Sequence, residues 1–248
     1  VDRHADSFLA AYALADGREL WRVERDEMPV WATPTVHLGD REELIVVGGH
    51  YVRGYRLDDG EELWRFADEA EVKTPTPFVV GDAVVFAGGY RGRPLYALRL
   101  GGEGDLSVPE GTQRSDHLLW RSEAGGPYTS TPVAYGGRLY FVRDTGILTV
   151  VDLETGEFLH RERLEETFSA SPVASDGHLF LAGEGGTMIV ATAQEKPEVV
   201  ARSEMGEALL ATPAISDGVL YVRGRSSLWA LESEGEASSS AVSHPDRE

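Results

Sequence analysis

A hydroxyl residue followed by proline recurs five times along the chain, at Thr33-Pro34, Thr76-Pro77, Thr131-Pro132, Ser171-Pro172 and Thr212-Pro213, in steps of 43, 55, 40 and 41 residues. A second ladder runs in phase with it. Trp21-Arg22, Trp64-Arg65, Trp120-Arg121, His160-Arg161 and Ala201-Arg202 are spaced 43, 56, 40 and 41 residues apart. Two independent ladders with nearly equal steps define a repeat. A period in this range means that each unit buries its apolar faces against its neighbours.

One unit reads as four short strands. The proline step leads into a strand at 131–135, and Gly136-Gly137 turns the chain. Leu139 to Val142 forms a second strand, Asp144-Thr145-Gly146 turns again, and Ile147 to Leu153 forms a third. Glu154-Thr155-Gly156 is a further turn before Glu157 to Arg161. Short strands between Gly/Asp turns are the hairpin signature, and no helical period competes with it. Four antiparallel strands per unit of roughly 40 residues make a β-propeller blade. The expectation is therefore an all-β propeller with repeats near 31–65, 74–122, 129–162, 169–203 and 210–231. That gives about four complete blades and two partial ones within 1–231.

Asp152-Leu153-Glu154-Thr155-Gly156-Glu157 with Leu159, and the variant Asp59-Gly60-Glu61-Glu62-Leu63-Trp64-Arg65, resemble the PQQ-like (pyrroloquinoline-quinone-like) repeat. In that family an acidic Thr-Gly turn ends the third strand and the fourth carries a tryptophan. The Ser/Thr-Pro opening is similar too. The resemblance covers residues from about 8 to about 231 and is nearest to the BamB-like bacterial propellers. WD repeats fit less well, since a Gly-His opening and a Trp-Asp ending are missing. The resemblance implies a ring of seven or eight blades, an exported precursor and a periplasmic or otherwise extracytoplasmic location. It also implies that tryptophans wedge blade against blade, more weakly where His160 and Ala201 replace them. Since both terminal segments would offer a third strand, the chain is expected to be the C-terminal part of a larger ring.

The arginine beside each tryptophan reads as a solvated edge residue that discourages strand addition. Residues 101–117, rich in Gly, Ser and acidic side chains, lengthen one turn and read as a surface loop or a partner-contacting loop. Residues 232–248 read as a disordered tail.

The formal net charge is −19, and Lys73 and Lys196 are the only lysines. Such a surface repels phosphate backbones and anionic lipid, which argues against nucleic acid or membrane surfaces as partners. No apolar run reaches the roughly 18 residues of a membrane-spanning helix.

Cysteine and asparagine are both absent, which removes disulfides, thiol catalysis and N-glycosylation. The absence also bears on the enzymatic alternative raised by the family. Quinoprotein dehydrogenases hold PQQ and calcium with an asparagine, acidic residues and often a vicinal disulfide, a set this chain cannot assemble in that form. Carboxylates and backbone oxygens could still serve calcium. No cofactor is expected, with PQQ and calcium as the alternative. The seven histidines show no metal-ligand spacing. Glu42-Glu43 and Glu165-Glu166 read as solvated pairs in loops, and no catalytic residue is assigned.

A binding role is expected in the loops that lead from one blade's outer strand into the next Ser/Thr-Pro. They read Met28-Pro29-Val30-Trp31, Ala70-Glu71-Val72-Lys73, Gly125-Gly126-Pro127-Tyr128, Glu166-Thr167-Phe168 and Glu207-Ala208-Leu209. Trp31, Lys73, Tyr128 and Phe168 form the candidate face, where aromatic anchors would suit a protein or peptide partner at the cell envelope. The same aromatics could instead plug the central channel as core. The resulting expectation is a non-enzymatic scaffold or protein-binding module.

Overall fold

The computed structural model describes residues 7–68, 72–90, 94–109, 115–122 and 125–232. These contain strands and no helix. The first sheet pairs β1 (Ser7–Tyr12) with β2 (Glu19–Arg25). The second is built from β3 (Thr35–Leu38), β4 (Glu42–Val47), β5 (Tyr51–Arg56) and β6 (Glu62–Ala67). The third takes β7 (Phe78–Val80), β8 (Ala83–Ala87), β9 (Leu95–Arg99) and, beyond the short β10 (Gly104–Asp105), β11 (Leu118–Ser122). The fourth holds β12 (Val133–Tyr135), β13 (Arg138–Val142), β14 (Ile147–Asp152) and β15 (Phe158–Arg163). The fifth holds β16 (Val173–Ser175), β17 (His178–Ala182), β18 (Thr187–Thr192) and β19 (Val199–Glu204). The last has β20 (Ala214–Ser216), β21 (Val219–Arg223) and β22 (Leu228–Leu231). Within each sheet these strands pair antiparallel in chain order, as successive hairpins do, and β10 alone joins in parallel, on β6. This is the blade pattern of a β-propeller. The expected tail lies outside the described residues except for Glu232.

The cores lie between sheets. Val84 and Phe86 pack with Ile45, Val47, Val52 and Phe66 of the preceding sheet. Val85 and Ala87, one residue out of phase on the same strand, pack with Leu139, Phe141 and Val151 of the following one. Both faces of β8 are thus buried, which explains a continuous apolar run where a half-exposed strand would alternate. Each fully buried Val, Leu or Phe contributes about 1.5–3 kcal/mol relative to exposure.

The hydroxyl-proline ladder is a stitch between blades. The amide of Thr76 donates to Thr131 Oγ1 at 3.0 Å, that of Thr131 to Ser171 Oγ at 2.8 Å, and that of Ser171 to Thr212 Oγ1 at 3.1 Å. These three inner-strand entries therefore hand their donors to the next repeat.

The tryptophan ladder has a similar logic. Trp21 Nε1 donates to the Leu57 carbonyl at 3.0 Å and Trp120 Nε1 to the Leu153 carbonyl at 2.9 Å, both in the following blade. Each indole lies where a Cβ on Gly60 or Gly156 would stand, at 2.7 Å from the ring. Across the hairpin, Trp21, Trp64 and Trp120 face Ala11, Gly54 and Ala97. Where tryptophan is lost, His160 and Ala201 face Val150 and Val190. The larger third-strand partner returns part of the lost bulk to the blades that lack tryptophan.

Residues of the 101–117 insert form more than a loop. Its β10 adds to the outer edge of β6 in parallel, Gly104 opposite Trp64 and Asp105 opposite Arg65. Leu106 donates its amide to the Arg65 carbonyl at 2.9 Å and buries its side chain in the core between the second and third sheets. Arg65 Nε pairs with Asp105 at 3.0 Å, and the Ala67 amide donates to Ser107 Oγ at 2.8 Å. Arg65 therefore recruits a strand instead of discouraging one, because the incoming strand carries the opposite charge. Residues 110–114 of the insert lie outside the described residues.

Glu43 corrects the reading of Glu42-Glu43 as a solvated pair. It sits on β4 with 1% exposure, accepts from Trp64 Nε1 at 2.6 Å and pairs with Arg41 at 2.8 Å. A buried carboxylate is retained when its oxygens are paired in this way.

Candidate functional site

The loops from outer strand to next inner strand share one face with the turns between second and third strands, and carboxylates fasten the two together. Glu27, fully buried, accepts from the His50 amide at 2.8 Å and pairs with Arg53. Glu166 accepts from the Gly185 amide at 3.0 Å, and Glu207 from the Ser226 amide at 2.7 Å. Gly48, Gly183 and Gly224 give each carboxylate its space, since a Cβ there would lie within 2.8 Å of it. Hydrogen bonds from Ser226 and Ser227 hold the Glu207 carboxyl below its ordinary value. Glu166 is thus a clasp and not half of a solvated pair, whereas its neighbour Glu165 is exposed.

Trp31 is 66% exposed, and its backbone amide is held by the Lys73 carbonyl at 3.1 Å. Tyr128 is half-buried and leans on Tyr90, with ring centroids 5.2 Å apart. Tyr90 in turn donates its amide to the Val72 carbonyl at 3.0 Å. The segment Val72-Lys73 therefore ties Trp31, Tyr90 and Tyr128 into one patch, with Met28 exposed beside Glu27. Tyr90 was not among the sequence candidates. Its signal was an aromatic directly after the Gly88-Gly89 turn, where a hairpin has no need of one.

The other two candidates turn inward. Phe168 is fully buried in the core between the fourth and fifth sheets. Lys73 is also fully buried. Its Nζ pairs with Asp68 at 2.9 Å and donates to the Gly48 carbonyl at 2.8 Å, reaching back to the preceding blade. Buried side chains offer a partner no surface, so Lys73 and Phe168 support the face from beneath. Ala70-Glu71 of the same loop lie outside the described residues.

Chemically, the exposed aromatics offer apolar contact and tyrosine hydroxyls, while the clasping carboxylates are already engaged. Among the described residues, no three of His, Asp or Glu gather as a metal site.

A family model described as outer membrane protein assembly factor BamB matches residues 5–99 and 105–196, which is most of the chain. The interruption falls inside the insert. Among solved structures, BamB from Moraxella catarrhalis is similar at 13% identity with a TM-score of 0.51, over 88% of this chain and 76% of that one. The computationally designed Ika8 protein is similar at 14% identity with a TM-score of 0.53, over 87% and 75%. At these identities the likeness is one of fold. Curated proteins give no match.

Proposed function

The chain belongs to the PQQ-like propeller family of the outer membrane protein assembly factor BamB, and from that premise we propose that it is a protein-binding scaffold of the bacterial cell envelope. In this reading it works outside the cytoplasm and catalyses no reaction. It engages a protein partner through the loop face that carries Trp31, Tyr90 and Tyr128.

One observation carries the choice of face. Trp31 stands 66% exposed on a loop whose backbone is fixed by Lys73. A large apolar ring held out to solvent on a rigid support is the composition of an interface anchor. The buried Lys73–Asp68 pair and the carboxylate clasps fix the loops in place, so little ordering entropy opposes docking.

Photo-crosslinking tests this. A benzophenone amino acid is placed at position 31, at position 128 and, as a control on the blade edge, at Val200, which is 55% exposed. Cells of the native host are irradiated. A discrete adduct with an envelope protein from positions 31 and 128, absent from 200, is the expected result. Trp31→Ala with Tyr128→Ala should abolish co-purification of that protein while the melting temperature stays unchanged. Adducts of equal strength from all three positions, or co-purification indifferent to the double substitution, would exclude this face.

A further inference from the structure

Four Asp-Gly steps occur in the chain, at Asp16-Gly17, Asp59-Gly60, Asp176-Gly177 and Asp217-Gly218. Such a step is chemically vulnerable, because glycine has no side chain to shield its amide nitrogen from the carboxyl carbon beside it. In a folded chain the reaction is restrained by the hydrogen bond that the glycine N–H already makes. Three of the four amides make one. Gly17 donates to the Ala13 carbonyl at 2.9 Å, Gly60 to the Arg56 carbonyl at 2.9 Å and Gly177 to the Tyr135 hydroxyl at 2.8 Å. Among the described residues, nothing accepts from the Gly218 amide.

The last two steps form a matched pair. Each is the two-residue turn between the first and second strands of its sheet, from β16 to β17 and from β20 to β21. Both take the doubly left-handed form that Asp-Gly favours: φ is 47° and 73° at Asp176 and Gly177, and 51° and 79° at Asp217 and Gly218. Both turns are exposed, and a Cβ on either glycine would meet nothing within 4 Å. Strain and solvent access are therefore alike, and the amide partner differs. The repeat explains why. Tyr135 ends β12 and reaches the turn of the following sheet, whereas Ser175 holds the same place on β16 with a hydroxyl only one bond beyond Cβ. The Asp217 carboxylate is itself held only by Ser216 Oγ at 3.3 Å, while that of Asp59 is held by Arg56 and the Glu61 amide.

We propose that Asp217 is a site of spontaneous isoaspartate formation, set apart from the other three Asp-Gly steps by its unbonded glycine amide. The Gly218 nitrogen attacks Cγ of the protonated Asp217 carboxyl. An N–Cγ bond forms, the nitrogen gives up its proton, and one carboxyl oxygen leaves as water, closing a succinimide. Water then adds at the main-chain carbonyl carbon of Asp217 and breaks its bond to nitrogen. The chain now runs through Cβ and Cγ, and the former main-chain carbonyl is a free carboxylate. Mass and oxidation state are unchanged, and water is the only co-reactant. The extra backbone carbon lengthens a turn whose register sets Ser216 opposite Val219, so the pairing of β20 with β21 loosens at its start. This turn lies at the opposite end of its sheet from the loop face, so the site stands or falls independently of the proposed function.

The folded protein is held warm at neutral pH for several weeks and then digested with endoproteinase Asp-N, which cleaves before aspartate and leaves isoaspartate uncut. Mass spectrometry counts the uncut, mass-neutral sites. Residue 217 should accumulate isoaspartate about fivefold faster than residue 176, the factor that one net hydrogen bond is worth. Tyr135→Phe removes the acceptor for Gly177 and should raise the rate at 176 to that at 217, an unchanged melting curve showing that the variant folds. A free peptide of residues 212–222 gives the unrestrained rate. Equal rates at 176 and 217 in the wild type overturn the proposal, as does a rate at 176 indifferent to Tyr135→Phe. So does an intact Asp217 in the protein when the free peptide isomerises, since the turn itself would then be the restraint.

Discussion

Trp64 donates its indole N–H to Glu43 at 2.6 Å, inside its own blade, whereas Trp21 and Trp120 donate across the blade boundary. The difference follows from the insert. In the third blade, residues 101–117 replace the short turn that would offer a carbonyl and a glycine. Trp64 therefore turns toward Glu43 on β4, over Gly54 of β5, which leaves room for it. Glu43→Ala strands a buried donor and should cost about 1–3 kcal/mol. Glu43→Gln keeps an acceptor and should cost less than half as much. Urea unfolding followed by circular dichroism measures both. Equal losses would mean that the charge pair with Arg41, and not the indole bond, carries the energy.

Lys73 and Asp68 are both fully buried and 2.9 Å apart. Lys73→Met removes the buried countercharge that faces Asp68, at a cost of about 3–5 kcal/mol. Adding Asp68→Leu should recover a large part of that loss, since removing both charges ends the imbalance. Strictly additive losses in the double variant would refute the coupling. Denaturant midpoints of the three variants decide it.

The fold was legible because the markers that define it are local and periodic. Thr-Pro steps, Gly turns and the tryptophan ladder each recur at fixed spacing, and the four-strand units follow from them. The candidate face was half legible. Trp31 and Tyr128 sit in the loops the ladder pointed to, but composition cannot say whether a loop residue points in or out. Lys73 and Phe168 point in because a buried aspartate and a core lie beneath them. The role of Glu27 was hidden, since its partners stand 23 and 26 residues away in the next blade. The replacement of Trp120 by His160 in the ladder has a cross-strand signature, Ala97 becoming Val150, that shows only once the register is known.

Docking of the insert should depend on pH. The Ser107 hydroxyl, and after it Arg65, hold the Asp105 carboxyl below its ordinary value of 3.8. A carboxyl depressed in the folded state stabilises above its unfolded value and loses that contribution as pH falls through the folded one. The protection factor of the Leu106 amide should therefore be level from pH 7 to about 4.5 and fall below that. Because both side chains are nearly half exposed, salt should shrink the effect. Asp105→Asn should lower protection at pH 7 and flatten the profile. A profile that Asp105→Asn leaves unchanged would assign the pH dependence to another group.

Gly156 separates backbone strain from blade contact. Its φ is +72°, and a Cβ would stand 2.7 Å from the Trp120 ring. Gly137 has a φ of +76° and open space around it. Gly137→Ala should then cost only the left-handed penalty, about 1 kcal/mol. Gly156→Ala adds displacement of the buried Trp120 indole and loss of its bond to Leu153, a further 1–3 kcal/mol or so. The two variants should also differ in kind. Trp120 fluorescence shifts to longer wavelength in Gly156→Ala as the ring meets water, and stays in place in Gly137→Ala. If both substitutions cost the same and neither moves the emission, the indole-on-glycine contact is not what joins the third blade to the fourth.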